Sequence, residues 1–318
     1  MEMTKYAVGV DIGGTNVRVC LGDENGNVKD KLSEKLDVED KNSVTKQIVR
    51  MINSLKSDFS AIGIGSIGLL DLKKGELSNP VHIPFKNIPI VKQLKGVFDV
   101  PTYLVNDCDA GVIGEKSFGL GKKEENLAYL TISTGIGCGV VLNGKLILGK
   151  DGNATEVGHL TIDLNSKLKC GCGGYGHWEA YCSGRTIPNF VRLLGKNDTR
   201  LKNSLILKLC NGNIANLTSE KFFEAVKLKD ELSLEILEKI GEVNAIGISN
   251  INAAYDVSLI TIGGSVALKN ENFILNPIIK NLSKHSLNRI PKVAITQLGE
   301  DVVLYGALAV AFDSSILE

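Results

Sequence analysis

Residues 7–21, AVGVDIGGTNVRVCL, decide the fold: an apolar run, a turn of small residues, then a second apolar run. Tyr6–Val10 reads as a buried strand and Val17–Leu21 as its hairpin partner across the turn IGGTN. The pattern returns at residues 129–143, YLTISTGIGCGVVLN, where Gly13 aligns without gaps on Gly135 and Thr15 on Gly137. Glycine-rich turns at strand ends expose backbone N–H groups that can approach phosphate oxygens closely. Two such hairpins, one in each half of the chain, predict two phosphate-binding lips facing one cleft, with Asp11 and Thr15 adding polar groups to the first. Local sequence alone favours two ordinary hairpin turns; the recurrence in both halves, with Asp11 and Thr15 in the first, favours phosphate binding.

Between the hairpins the chain alternates strands and helices. Val44, Ile48, Met51, Ile52 and Leu55 recur at helical spacing, and Ala61–Ile64 and Tyr103–Val105 are short apolar strands running into polar or glycine residues. Leu127–Ile132 and Val140–Leu142 form a strand, turn, strand unit; helical patterns span about Ser219–Asn252, and Val302–Phe312 reads as a closing helix. The 318 residues allow about two domains with ample core. Lys+Arg and Asp+Glu both total 36, so the zero net charge provides no electrostatic footprint for nucleic acid. No apolar run approaches the ~20 residues needed to cross a bilayer, and MEMTKYAVGVDIGG enters a strand pattern directly. A soluble, cytoplasmic protein is expected, its seven cysteines reduced.

Residues 155–183, TEVGHLTIDLNSKLKCGCGGYGHWEAYCS, concentrate the chemistry. Glycines 171, 173, 174 and 176 would let the chain bend enough to converge thiolates and an imidazole on one point. Cys170, Cys172 and His177 suit a soft-to-borderline cation in tetrahedral geometry, so zinc is the natural occupant. A Cys170–Cys172 disulfide would be strained. Cys20, Cys108, Cys138, Cys182 and Cys210 read as inert core thiols. Glu156 and Glu179 suit hydrogen bonds from something polar and uncharged, such as a sugar. Tyr175 and Trp178 are expected to cover the site, and His82 and His285 have no ligand-spaced partner.

Asp107 ends the strand TYLVND, where active-site groups of α/β folds project. Phosphoryl transfer to a hydroxyl needs a carboxylate that accepts the alcohol proton, and Asn106 can fix the alcohol by donating and accepting hydrogen bonds. Taken alone, Asp107 or Asp109 reads more readily as the cap of a helix beginning near Ala110.

In order, DIGGTN, GIGSIGLLD, the VND strand end, TISTGIGCG, EVGH and CxCGxxGHxE make the chain, from about Tyr6 to Ala309, resemble the ROK family. That group comprises sugar kinases and xylose-type repressors within the actin-like ATPase superfamily. The resemblance implies an α/β fold of two ribonuclease-H-like domains around a central cleft: residues 1–107 plus 300–318, and residues 108–299. It implies an ATP-dependent hexose kinase acting at the 6-hydroxyl of glucose, with N-acetylmannosamine or N-acetylglucosamine as the alternative substrate class.

By position, the resemblance makes Asp107 the catalytic base. Gly68, Asn79, Asn106, Glu156, His159 and Glu179 become the hydroxyl-binding set, with His159 also a zinc ligand. Asp11, Gly13, Gly14 and Thr15 match the first phosphate motif, with Asp11 near Mg2+; Thr134, Gly135 and Gly137 match the second; Gly263 and Gly264 match the adenosine-side turn. ATP, Mg2+ and a structural Zn2+ held by His159, Cys170, Cys172 and His177 are the implied cofactors, and a homodimer or homotetramer the implied assembly. Two departures stand out: His177 replaces the family's third cysteine, and Asp109 replaces an asparagine in NDCD. A free His177 is the alternative to a ligand. A repressor of this family would carry a DNA-binding domain ahead of the first strand, which only five residues precede. An actin-like ATPase would leave Asn106, Glu156, His159 and the zinc loop unexplained.

Overall fold

The computed structural model describes residues 5–80 and 83–317; His82 lies outside them. The α/β expectation holds, as two mixed five-stranded sheets flanked by helices. The strands are β1 (Tyr6–Ile12), β2 (Asn16–Asp23), β3 (Val28–Lys35), β4 (Ile62–Ser66), β5 (Leu69–Asp71), β6 (Glu76–Asn79), β7 (Thr102–Asn106), β8 (Leu127–Ile132), β9 (Ile136–Leu142), β10 (Lys145–Leu146), β11 (Leu259–Gly263) and β12 (Lys292–Ile295). One sheet runs β3-β2-β1-β4-β7 and the other β10-β9-β8-β11-β12, with β5 and β6 forming a separate pair. Each large sheet therefore has the same order, third-second-first-fourth-fifth in chain sequence. The internal repeat read in the two hairpins extends to a whole ribonuclease-H-like topology.

Helices α1 (Ser43–Ser54), α2 (Ile90–Phe98), α3 (Asp107–Ser117), α4 (Glu179–Cys182), α5 (Ile187–Gly195), α6 (Leu205–Leu209), α7 (Ser219–Lys227), α8 (Glu231–Tyr255), α9 (Ser265–Lys269), α10 (Glu271–His285) and α11 (Val302–Phe312) complete the chain. By contacts it forms two compact units, residues 1–129 with 139–155 and 296–318, and residues 130–138 with 156–295.

In the first unit β1 is buried along nearly its whole length, as a central strand must be, while the charged edge strand β3 is largely exposed. The predicted apolar stripe of α1 is buried and shares a core with β1, β2 and β4. Helix α11, VVLYGALAVAF, carries no charge and has no exposed residue, eight of its eleven positions being buried; it packs on β1 and β4 and against α3. That approach is backbone to backbone. A Cβ on Gly63 would stand 1.8 Å from Ala307 O, and one on Gly306 would stand 1.6 Å from Ala110 O.

The helical patterns expected over about Ser219–Asn252 resolve into α7 and α8, separated because Lys229 turns left-handed (φ 62°) and Asp230 caps α8 by accepting the Ser233 N–H at 3.0 Å. One sequence expectation changes in the structure. Helix α3 begins at Asp107 rather than near Ala110, and its cap is neither aspartate. Asn106 Oδ1 accepts the Cys108 N–H at 2.8 Å.

Candidate active site and metal loop

In the first unit the parallel strands β1, β4 and β7 end in one row. Ile12 pairs with Ser66, and Ser66 with Asn106. The strand ends therefore bring together the turn Gly13–Thr15, the residues after Ser66 and the pair Asn106–Asp107, at the edge where α/β folds place their ligands. The turn is closed by the Gly13 N–H donating to Asn16 O at 3.0 Å. Neither Gly13 nor Gly14 takes a positive φ, so their value lies in close backbone approach rather than in left-handed geometry. Gly68 does need that geometry (φ 87°), and its carbonyl accepts from Asn106 Nδ2 at 3.5 Å. Asn79 is exposed and lies opposite Leu69 across β5 and β6, one residue from Gly68.

Asp11 points into this group. Burial pushes its carboxyl up to about 7, Arg18 opposes the shift, and the charges of Asp107 and Asp301 add to it. Arg18 pairs with Asp11 across the hairpin, its guanidinium 3.7 Å from the Asp11 carboxylate, and it also donates to Glu300 O at 2.6 Å. Sequence reasoning missed Arg18, although register counted back from the IGGTN turn sets it opposite Asp11. Asp107 Oδ1 shares the Cys108 N–H with Asn106. Asp109 is buried, 5 % exposed, in the same first turn.

In the second unit the turn after β8 and the turn after β11 touch. Ser133 Oγ and Ser265 Oγ are 3.1 Å apart, and Gly264 takes φ 88°. A Cβ there would stand 2.6 Å from Ile132 O, so only glycine passes at that point. The strand end that leads into Thr134, Gly135 and Gly137 thus meets the Gly263–Gly264 turn. The Gly184 N–H donates to Ser133 O at 2.7 Å and the Arg185 N–H to Thr134 O at 3.3 Å. Both serines are residues that the motif reading passed over.

The metal loop folds as a knuckle. The Cys170 N–H donates to Gly174 O at 2.8 Å and the Gly173 N–H to Cys170 O at 3.0 Å, with Gly173 (φ 96°) and Gly176 (φ 69°) left-handed. Lys169 bridges Tyr175 and Thr161 bridges His177. These ties bring His159, Cys170, Cys172 and His177 together, one ligand atom from each lying within 4.8 Å of every other. His159 Nδ1 is 3.5 Å from Cys170 Sγ, and His177 Nδ1 is 3.3 Å from Cys172 Sγ. The other His159 nitrogen, Nε2, faces Glu156 Oε2 at 3.8 Å. Desolvation raises the Glu156 carboxyl, His159 opposing and Glu179 reinforcing; burial likewise pushes the Cys170 thiol up to about 12. Trp178 does not cover the site. It is fully buried and anchors the loop, donating from Nε1 to Asn244 Oδ1 on α8 at 2.9 Å. Tyr175 is 56 % exposed.

The ROK family pattern matches residues 7–314. The chain belongs to the ROK family. A glucokinase of Pyrobaculum calidifontis is 36% identical over 310 residues, covering 98% of this chain and 96% of that one. A ROK family glucokinase from Streptomyces griseus, crystallised in complex with glucose and AMPPNP, superposes with a TM-score of 0.80 at 26% identity, covering 96% of this chain and 99% of that chain. The family also reaches a xylose repressor of Bacillus subtilis, 29% identical over 97% of this chain and 77% of that protein. Among the described residues of this ROK protein no helix is long and apolar enough to cross a membrane.

Proposed function

We propose that this ROK protein is an ATP-dependent hexose kinase that transfers the γ-phosphate to the 6-hydroxyl of glucose. The observation that carries the proposal is the shared row of Ile12, Ser66 and Asn106. It sets a carboxylate, Asp107, beside a glycine turn with free approach for phosphate. Asp107 accepts the proton of the attacking hydroxyl. Asn106, held by its cap and by Gly68 O, orients that hydroxyl with Asn79. Glu156, His159 and Glu179 accept and donate hydrogen bonds to the ring hydroxyls. The turns Gly13–Thr15 and Thr134–Gly137 bind the phosphates through backbone N–H groups other than those of Gly13 and Ile136, which are already bonded, and Gly263–Gly264 lines the adenosine side.

The donor set fits zinc. A tetrahedron with bonds of about 2.0–2.3 Å has edges of about 3.3–3.8 Å, matching the two Sγ–Nδ1 separations of 3.5 and 3.3 Å. His159, Cys170, Cys172 and His177 would hold the ion as a structural centre. Its service is to fix the ring of His159 with Nε2 outward. Mg2+ fits Asp11, whose buried carboxyl lies in the field of Asp107 and Asp301 with Arg18 opposing them; when bound it would neutralise phosphate charge. The seven free cysteines support a reducing, cytoplasmic setting. A homodimer or homotetramer, and domains divided at residues 107 and 300, complete the proposal on the strength of the family resemblance.

A panel of hexoses and N-acetylhexosamines with ATP and Mg2+ tests it. Glucose-dependent ADP release is expected. A preference for an N-acetylhexosamine would move the substrate class, and ADP release without sugar would overturn the kinase.

A further inference from the structure

The helix that follows the metal loop reaches the second phosphate turn through one carboxylate. Glu179 Oε2 accepts the Ile136 N–H at 3.0 Å, while Cys170 Sγ lies 3.4 Å from Oε1. The reach is possible because residue 135 lacks a side chain: a Cβ on Gly135 would stand 2.6 Å from Oε2. The Glu179 backbone is itself held, its carbonyl accepting from Thr186 Oγ1 and from the Ser183 N–H at 3.3 Å. The carbonyls of Ser133 and Thr134 are tied by the Gly184 and Arg185 N–H groups, and the Ile136 N–H is tied by the Glu179 side chain.

We propose that Glu179 is a positioning residue for the nucleotide turn, beyond its contact with sugar. The proposal rests on the reading that Thr134–Gly137 binds the phosphates of ATP. A turn that presents N–H groups to an anion binds well only if those groups are already oriented, since ordering them on binding subtracts from affinity. A carboxylate accepting a backbone N–H is a charge-assisted bond and a strong constraint. Glu179 lies in the first turn of α4, directly after Trp178, so the constraint is tied through the buried tryptophan to α8. One side chain thereby ties the anchored start of α4 to the phosphate turn.

The test is calorimetric titration of AMPPNP with Mg2+, without sugar, on metal-assayed protein. Glu179→Ala is expected to weaken binding about tenfold. Glu179→Gln, whose amide oxygen still accepts the Ile136 N–H, should stay within about threefold. Gly135→Ala should speed amide exchange at Ile136 by displacing the carboxylate, and adding it to Glu179→Ala should speed that exchange little further, because the two act through one contact. Wild-type affinity in Glu179→Ala at equal metal content, or a full independent effect of Gly135→Ala on exchange at Ile136 in that background, overturns the proposal. If Glu179→Ala loses metal, exchange at Ile136 in Gly135→Ala decides: it must be faster than in wild type, and an unchanged rate overturns the proposal. Wild-type protein that binds no AMPPNP would sink the kinase reading instead. Exchange at Ile136 then judges the positioning role by itself, slow in wild type and fast in Glu179→Ala if it holds, equal in both if it fails.

Discussion

Gly306→Ala probes how the fold holds the proposed base. The new Cβ would stand 1.6 Å from Ala110 O and 2.4 Å from its carbon. Carbon–oxygen contacts close to about 3.3 Å, so α3 and α11 must part by about 1.7 Å along that line. Shared between the helices, this shifts the start of α3, and Asp107 with it, by roughly 1 Å. Misplacement on that scale costs about a hundredfold in rate, and forced repacking costs about 1–3 kcal/mol of stability. The assays are glucose-dependent ADP release and urea unfolding, with Gly96→Ala as the comparison. A Cβ on Gly96, within α2, meets nothing within 4 Å, so that change should stabilise by about 0.5–1 kcal/mol and leave turnover alone. A Gly306→Ala protein with normal kcat and an unchanged unfolding midpoint would refute the claim that this backbone contact sets the base.

Three further outcomes are expected. Cys170→Ser should lose the metal by elemental analysis and weaken glucose binding about tenfold by calorimetry, through a mobile His159; full glucose affinity without metal would separate the loop from the sugar. Trp178→Phe keeps an aromatic group but removes the indole N–H and strands Asn244 Oδ1, now bonded at 2.9 Å, and should lower stability by about 1–3 kcal/mol in urea. Burial raises the Glu115 carboxyl above its ordinary 4.5, against the opposing bonds from Thr296 and Leu120. The folded state then binds more protons than the unfolded, so stability should fall as pH rises from the ordinary value through the raised one. Glu115→Gln should flatten that slope, and an unaltered slope in unfolding midpoints would contradict the assignment.

The sequence was most readable where burial is one-sided or complete. The stripe of Val44, Ile48, Met51 and Ile52 and the closing run Val302–Phe312 matched α1 and α11, because apolar periodicity and burial are one signal. β3, VKDKLSEK, was invisible: an exposed edge strand carries charges for solubility and has no apolar face to betray it. The break between α7 and α8 depends on a left-handed Lys229, a conformation lysine rarely marks. In the site, the thiol and imidazole spacing of the metal loop was legible, since His159, Cys170, Cys172 and His177 do converge. The anchoring by Trp178, the capping of α3 by Asn106 and the pairing of Arg18 with Asp11 were not, because each is set by a partner distant in sequence or by a helix start that propensity leaves open. The Gly306 contact is likewise a meeting of remote backbones.

The most direct measurement follows the γ-phosphate itself. Phosphorus NMR on wild type and Asp107→Asn, each with ATP, Mg2+ and glucose, should show glucose 6-phosphate accumulating only with wild type. Calorimetry should find glucose still bound by the variant. Near-normal phosphate transfer by Asp107→Asn, or phosphate released to water rather than to the sugar by wild type, would contradict the account.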